Sequence, residues 1–310
     1  MSFAVYGLGA AGGFGGSLAE LAEARPGCEA QPPDLGLLAG RVPPAALRRM
    51  DGFTRMSLLA ALRCREDAVA RGVADGDLAG ERVALVLATG YGPMRTTFDY
   101  LDSVLGSGEP GASPTAFSLS VQNMPAAILA LSLGVSGSCC TACQLDNPVL
   151  PALVTAACWL AEGRADTVLV GAADESSPML DYGLGRLRAA GRAGLPGQGN
   201  GAAFLCLRRP GSPGRAYAEC TGLYASEAPD IWTGAVLERG GGQGLPGFGE
   251  SPVAWAADVV LACWVLDGGE FESLSGRPGA VECRCSNPGP IQCAVRLRRP
   301  TGREEEGCAS

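Results

Sequence analysis

The stretch LGVSGSCCTACQLDNPVLPALVTAACWLAEGRADTVLVG (residues 133–171) decides the fold. Its glycine turn, Gly134 to Gly137, ends a small-residue helix that the pattern places over Asn123–Leu133. Residues 138–145 then read as a strand, 148–163 as a buried helix, and Asp166–Gly171 as a strand apolar enough to be covered on both faces. Strand, buried helix and buried strand in this order belong to a layered α/β architecture.

Outward from this unit the same periodicities recur. Val83–Ala88 is a continuous apolar run closed by Thr89-Gly90-Tyr91-Gly92, and Met94–Leu105 reads as a helix. Residues 54–72 are helical by spacing, with Met56, Leu59, Ala60, Leu62 and Val69 on the apolar side and arginines opposite. Phe3–Tyr6 is predicted as a short strand, followed by the glycines Gly7, Gly9 and Gly12 and a helix-like stretch from Ser17 to Ala24. Residues 26–44 and 110–114 read as loops, 183–201 as a glycine-rich mobile segment, and Ala202–Leu207 as a strand. A second unit starts near Tyr217, with a helix over Val253–Leu266 and strands over Val281–Cys285 and Gln292–Leu297. The expected organisation is an N-terminal half (1–212), a shorter C-terminal half (213–302) and a disordered polar tail (303–310).

Composition excludes several chemistries. A formal charge of −8 argues against nucleic-acid partners. The chain has no histidine and no lysine, so all 24 basic residues are arginine. Without imidazole or amine, serine–histidine and cysteine–histidine hydrolysis, Schiff-base chemistry and histidine metal sites are ruled out. No apolar run reaches the roughly 18 residues needed to span a bilayer, and Met1–Tyr6 lacks the basic start of a signal peptide. The expectation is a cytoplasmic protein with no membrane span.

Gly7-x-Gly9-x-x-Gly12 fits a dinucleotide-binding pattern, but a Pro-rich loop stands where the next strand and its acidic residue belong. Tight packing is the better reading of these glycines, and no cofactor is expected. Cys139, Cys140 and Cys143, with Cys283, Cys285 and Cys293, lack the paired spacing of a zinc site, so these are read as buried thiols with no metal. Asp174-Glu175 follows a core strand, and its role stays open between a cleft lining and a loop or helix cap.

From Leu47 to Gly171 the order of segments resembles the beta-ketoacyl synthase (thiolase-fold) family. The segments are LRRMDGFTRM (47–56), VALVLATGYG (83–92), Ser113-Pro114 through Phe117, Ser120, Val121, Asn123 and Met124, LGVSG (133–137) and GRADTVLVG (163–171). Tyr6–Ala10, Ser286–Gly289 and Val295–Arg299 are similar to the family's first and last strands. The resemblance implies a thiolase-like layered α-β-α-β-α fold with a shortened C-terminal half.

In that family the nucleophilic cysteine lies nine residues after the turn glycine and seventeen before the glycine that precedes the next strand. Counted from Gly137 and from Gly163, both reach Asp146. Cys143 substitutes only with a gap on one side and an insertion on the other. The family's two histidines are absent too, and their loops would fall between 217 and 290, where the chain is short. The resemblance therefore implies a chain-length-factor-like subunit with no working nucleophile. Its partner would be an active ketosynthase in a heterodimer making a polyketide, aryl-polyene or specialised fatty acyl chain. By the same likeness the strand at 138–145 pairs the subunits, Ala116 and Phe117 gate the partner's acyl tunnel (Phe117 being open also to a plain core role), and Asn123, Cys143 and Gln144 lie at the interface. The arginines at 48, 49, 55, 63 and 65 and at 186, 188 and 192 either dock an acyl carrier protein or form solvated faces. Two other classes stay open: an acyl-thioester enzyme with altered chemistry at Asp146, and an acyl-binding scaffold.

Overall fold

Strand β1 (Phe3–Gly12) is longer than its sequence suggests, because its glycines lie within the strand and do not end it. Gly7 and Gly9 face helix α3 (Gly52–Ala70) at backbone contact. A Cβ on Gly7 would stand 2.5 Å from the Cys64 carbonyl oxygen, and one on Gly9 would stand 2.2 Å from that of Ala60. The glycine pattern is thus a bed for a helix, as the packing reading expected.

The computed structural model describes residues 2–15, 17–24, 31–192, 197–226, 235–239, 248, 251–271, 274, 278–286 and 292–300. The expected tail at 303–310 lies outside them. β1 pairs antiparallel with β5 (Gly201–Arg208) on one side and with β6 (Ala218–Ser226) on the other. It thereby joins two half-sheets into one sheet of order β3-β2-β4-β5-β1-β6-β9-β8-β7. In the first half, β2 (Val83–Thr89) runs parallel to β3 (Cys139–Cys143) and to β4 (Thr167–Asp174). In the second, β9 (Gln292–Arg298) lies antiparallel to β6 and β8 (Ala280–Ser286), and β7 (Ala235–Arg239) runs parallel to β8.

Two apolar helices fill the space between the half-sheets. α7 (Val149–Ala161) and α9 (Ala254–Leu266) share one core with Val86, Val170 and Leu205 of the first half and Val281, Val295 and Leu297 of the second. α9 is buried at every position but Trp264, as expected of a helix apolar on all sides. The opposite face of the first half, with Leu85, Leu87, Leu169 and Phe204, packs on α3 and α6 (Met124–Leu133). The order is helix, sheet, helix, sheet, in agreement with a layered fold of the thiolase type.

The outer face of the second half is charged. Glu282 is enclosed between Arg284 and Arg296, Arg298 pairs with Glu219, and the Arg296 guanidinium lies 4.3 Å from the Tyr224 ring centroid. Among the described residues, the helix packed on these strands is α9, on their inner face.

Three local expectations need correction. Cys139 and Cys143, read as buried thiols, are exposed on β3. Residues from 183 onward do not start a mobile segment: α8 runs over Pro178–Ala189. Pro178 sits at its first turn, Leu180 and Leu184 bury one turn apart, and Gly183 and Gly185 face open space. The Ser-Pro stretch after the predicted loop forms a short helix, α5 (Pro114–Ser120), whose Ser113 hydroxyl accepts from the Ala116 amide at 3.2 Å.

One ion pair ties the layers. Arg71, 7% exposed at the end of α3, donates to both Asp267 carboxylate oxygens at 2.8 and 3.1 Å, just past α9. Its guanidinium carbon stands 3.5 Å from the Tyr217 ring centroid. Removing one partner of such a pair strands a buried charge, whereas removing both with apolar groups is far milder. Arg71→Ala is expected to lower unfolding free energy by about 3–5 kcal/mol in urea titrations. The double change Arg71→Met with Asp267→Leu should recover most of that loss.

Candidate functional site

The corner where β3 hands over to α7 is the candidate site. Gln144 extends the parallel ladder one residue past β3, its amide donating to the Thr89 carbonyl at 3.2 Å. The chain then turns through Leu145 and Asp146, both exposed. The Gln144 side-chain amide donates to the Asn147 carbonyl, which holds the turn closed. Asn147 is 2% exposed, and its Oδ1 accepts from the amides of Val149 and Leu150 at 3.1 and 3.2 Å. The helix cap is therefore Asn147, and Asp146 lies outside the helix. Asn followed by Pro at 147–148 is a helix-start signal legible in the sequence. The Asn147 side chain also lies beside the Cys293 thiol of β9, whose pKa burial raises.

Cys143 ends β3 with its sulfur 3.8 Å from the Gly90 carbonyl oxygen. Burial raises its thiol pKa and the nearby Asp174 charge adds to this, while a contact from Gln122 opposes. It therefore stands as a thiol at neutral pH, and a thiol is a weak nucleophile.

Behind the corner lies a set of buried carboxylates. Asp174, the last residue of β4, accepts from the Thr89 hydroxyl at 2.8 Å and from the Gly90 and Tyr91 amides at 3.1 and 2.9 Å. It fixes the turn after β2. Glu175 accepts from the Arg95 amide at 2.9 Å, at the start of α4 (Met94–Ser107). Asp51 caps α3 through the Thr54 amide at 2.8 Å and accepts from the Thr96 hydroxyl at 2.8 Å. Of the two roles left open for Asp174-Glu175, capping is the one seen, though the elements capped are far away in sequence. Burial pushes Asp174 up to about 6 and Glu175 up to about 7, the Asp51 charge adding to the latter.

The remaining expected residues sit on an exposed face beside the corner. Phe117 on α5 is exposed, its ring 5.3 Å from that of Tyr100 on α4. α5 packs on α4 and α6, and α6 lies along β3. Asn123 immediately precedes α6, its carbonyl accepting from the Ala127 amide. Leu105 and Leu131 are each 83% exposed, and Leu101, Phe117, Val121 and Leu145 are also exposed apolar side chains. β3 is the sheet edge. Its ladder with β2 uses the backbone of Ser138 and Gln144, so by alternation Cys139, Thr141 and Cys143 turn theirs outward. Among the described residues no helix is long and apolar enough to cross a membrane.

A profile described as beta-ketoacyl synthase, N-terminal domain, matches residues 23–182, a span that includes the whole corner. No curated protein matches the chain. Among solved structures it is similar to AntDE:AntF, a type II polyketide acyl-carrier protein in complex with its ketosynthase bound to the hexaketide. That likeness has a TM-score of 0.76 and 16% identity, covering 96% of this chain and 99% of the other. It is similar to the ishigamide ketosynthase/chain length factor at a TM-score of 0.71 and 17% identity, with the same coverage. A beta-ketoacyl synthase from Burkholderia phymatum STM815 follows at 0.64 and 15%, again covering 96% and 99%.

The raised carboxylates carry a pH signature. An acid whose folded pKa exceeds its unfolded value binds its proton more tightly when folded, so stability is lost as pH rises through that folded value. Unfolding free energy is expected to decline from about pH 5 to pH 8. Glu175→Gln, which still accepts from Arg95, should flatten the decline by on the order of 3 kcal/mol. Denaturant titrations of both proteins across that range measure it.

Proposed function

The chain belongs to the beta-ketoacyl synthase family, and from that premise we propose that it is a chain-length-factor-type subunit, without condensing activity of its own, that pairs with an active ketosynthase. The observation that carries this reading is the state of the β3–α7 corner. The position that counts to the family's nucleophile is Asp146, exposed in the turn and not at the helix start. A carboxylate is a stable anion and a poor carrier of an acyl group through a thioester. Cys143, the nearest thiol in sequence, is held protonated. With no histidine in the chain, an enolate formed by malonyl decarboxylation has no imidazole donor.

The exposed face supports the pairing. A sheet edge with outward backbone groups and no proline or charge on β3 invites another strand. Leu101, Leu105, Phe117, Val121 and Leu131 form an apolar surface of the kind that marks a protein interface. By likeness to the ketosynthase/chain length factor, the occupant is an active ketosynthase. By likeness to the ketosynthase held with its carrier, an acyl carrier protein is a further partner of the pair. In this reading Ala116 and Phe117 reach the partner's acyl tunnel, and Asn123, Cys143 and Gln144 line the interface. The product is a polyketide, aryl-polyene or specialised fatty acyl chain.

Co-expressed with a ketosynthase encoded beside it, the chain is expected to co-purify as a 1:1 complex. Leu131→Arg should break the complex and leave the chain's own melting temperature unchanged, because Leu131 is largely exposed. A chain that remains monomeric beside that ketosynthase would overturn the pairing. Alone, it should not turn over malonyl or acyl thioesters, and Asp146→Asn should leave the activity of the complex intact. A thioester-consuming activity abolished by Asp146→Asn would replace this reading with altered chemistry at that carboxylate.

A further inference from the structure

Beneath the β3–α7 corner two thiols face each other across the β8–β9 ladder. Cys285 and Cys293 are direct partners in its antiparallel register. Both point to the inner face, where they join the core that holds α7 and α9. Neither is in a disulfide, and each is 7% exposed. Directly opposed residues of an antiparallel pair have Cα atoms about 4.5–5.5 Å apart, inside the roughly 4.4–6.8 Å that a disulfide spans.

The other thiols of the core have different surroundings. Cys64 lies on α3 and Cys206 on β5, two elements of different layers. Cys283, two residues from Cys285, turns its sulfur toward the Asp258 carbonyl oxygen at 3.7 Å. Cys139 and Cys143 share one strand and stand four residues apart on it. Cys293 is also placed against function: it lies beside Asn147, which caps α7, and within reach of the Asp146 charge.

We infer that Cys285 and Cys293 form a redox-modifiable pair that closes into a cross-strand disulfide directly beneath the corner bearing Asp146 and Asn147. The two thiols lose two electrons and two protons as the S–S bond forms. A diazene oxidant such as diamide takes up both and becomes the hydrazine; a dithiol reductant reverses the step. Closing the bond removes the Cys293 S–H from beside Asn147 and braces the β8–β9 pair on which α9 packs.

The chain's composition makes the test direct. Because every basic residue is arginine, trypsin cuts after Arg284 and Arg296 and leaves residues 285–296 as one peptide holding both thiols. The full chain is treated with diamide, alkylated with iodoacetamide, digested and weighed. The expected peptide is lighter by two hydrogens than the dithiol and carries no alkyl group; prior reduction restores two. Oxidation should raise the melting temperature of the native chain by several degrees, and Cys285→Ser and Cys293→Ser should each abolish that rise. If the peptide still takes two alkyl groups under conditions that oxidise the exposed Cys139 and Cys143, the inference is overturned. A mixed disulfide of Cys293 with any other thiol overturns it equally.

Discussion

The fold depends on the approach of α3 to the glycines of β1. With no Cβ at Gly7 and Gly9, the helix backbone reaches the strand itself. That closeness lets Asp67, near the end of α3, accept from the Leu8 amide at 2.8 Å and from the Tyr217 hydroxyl at 2.9 Å. One turn later Arg71 reaches Asp267 and stacks on Tyr217. A single helix thus grips the strand shared by both half-sheets, the start of β6 and the end of α9. A side chain at Gly9 would lift α3 and loosen all three together.

What was legible in the sequence follows from how local each signal is. The 133–171 unit declared itself because apolar runs and turn glycines act within a few residues. The extent of β1 did not, because its glycines answer to Ala60 and Cys64, some fifty residues away. The strands β6 and β7 were not anticipated; on β6 the outward Glu219 is matched across strands by Arg298. α8 was hidden by Gly183 and Gly185, which weaken helix propensity but not the burial of Leu180 and Leu184. At the site, the capping role of Asn147 was written in the Asn-Pro pair that follows Asp146. The partners of Asp174 and Glu175 were beyond reach, being supplied by β2 and α4 about eighty residues earlier.

The electrostatics of the corner set what chemistry is open to it. Near neutral pH, a chain without histidine or lysine has few groups able to exchange a proton. Burial brings Glu175 and Asp174 into that range, yet both are committed as acceptors, one to the start of α4 and the other to the turn after β2. Asp174 is fully buried and holds the Thr89, Gly90 and Tyr91 donors, so moving it toward a substrate would release the turn it builds. Partial burial of its sulfur and the Asp174 charge raise the Cys143 thiol pKa. The carboxylates that burial shifts are ones the fold uses, whereas Asp146 lies outside these contacts and is exposed.

This division separates the residues that shape the corner from position 146. Its geometry rests on Gln144 closing the turn, Asn147 capping α7, and Asp174 fixing the loop after β2. Position 146 contributes to none of these, so its identity is free of the packing that constrains its neighbours. The exposed apolar face and open edge of β3 are constrained in the opposite sense. They add nothing to the stability of the lone chain and expose it to aggregation, so their retention makes physical sense only where another surface covers them.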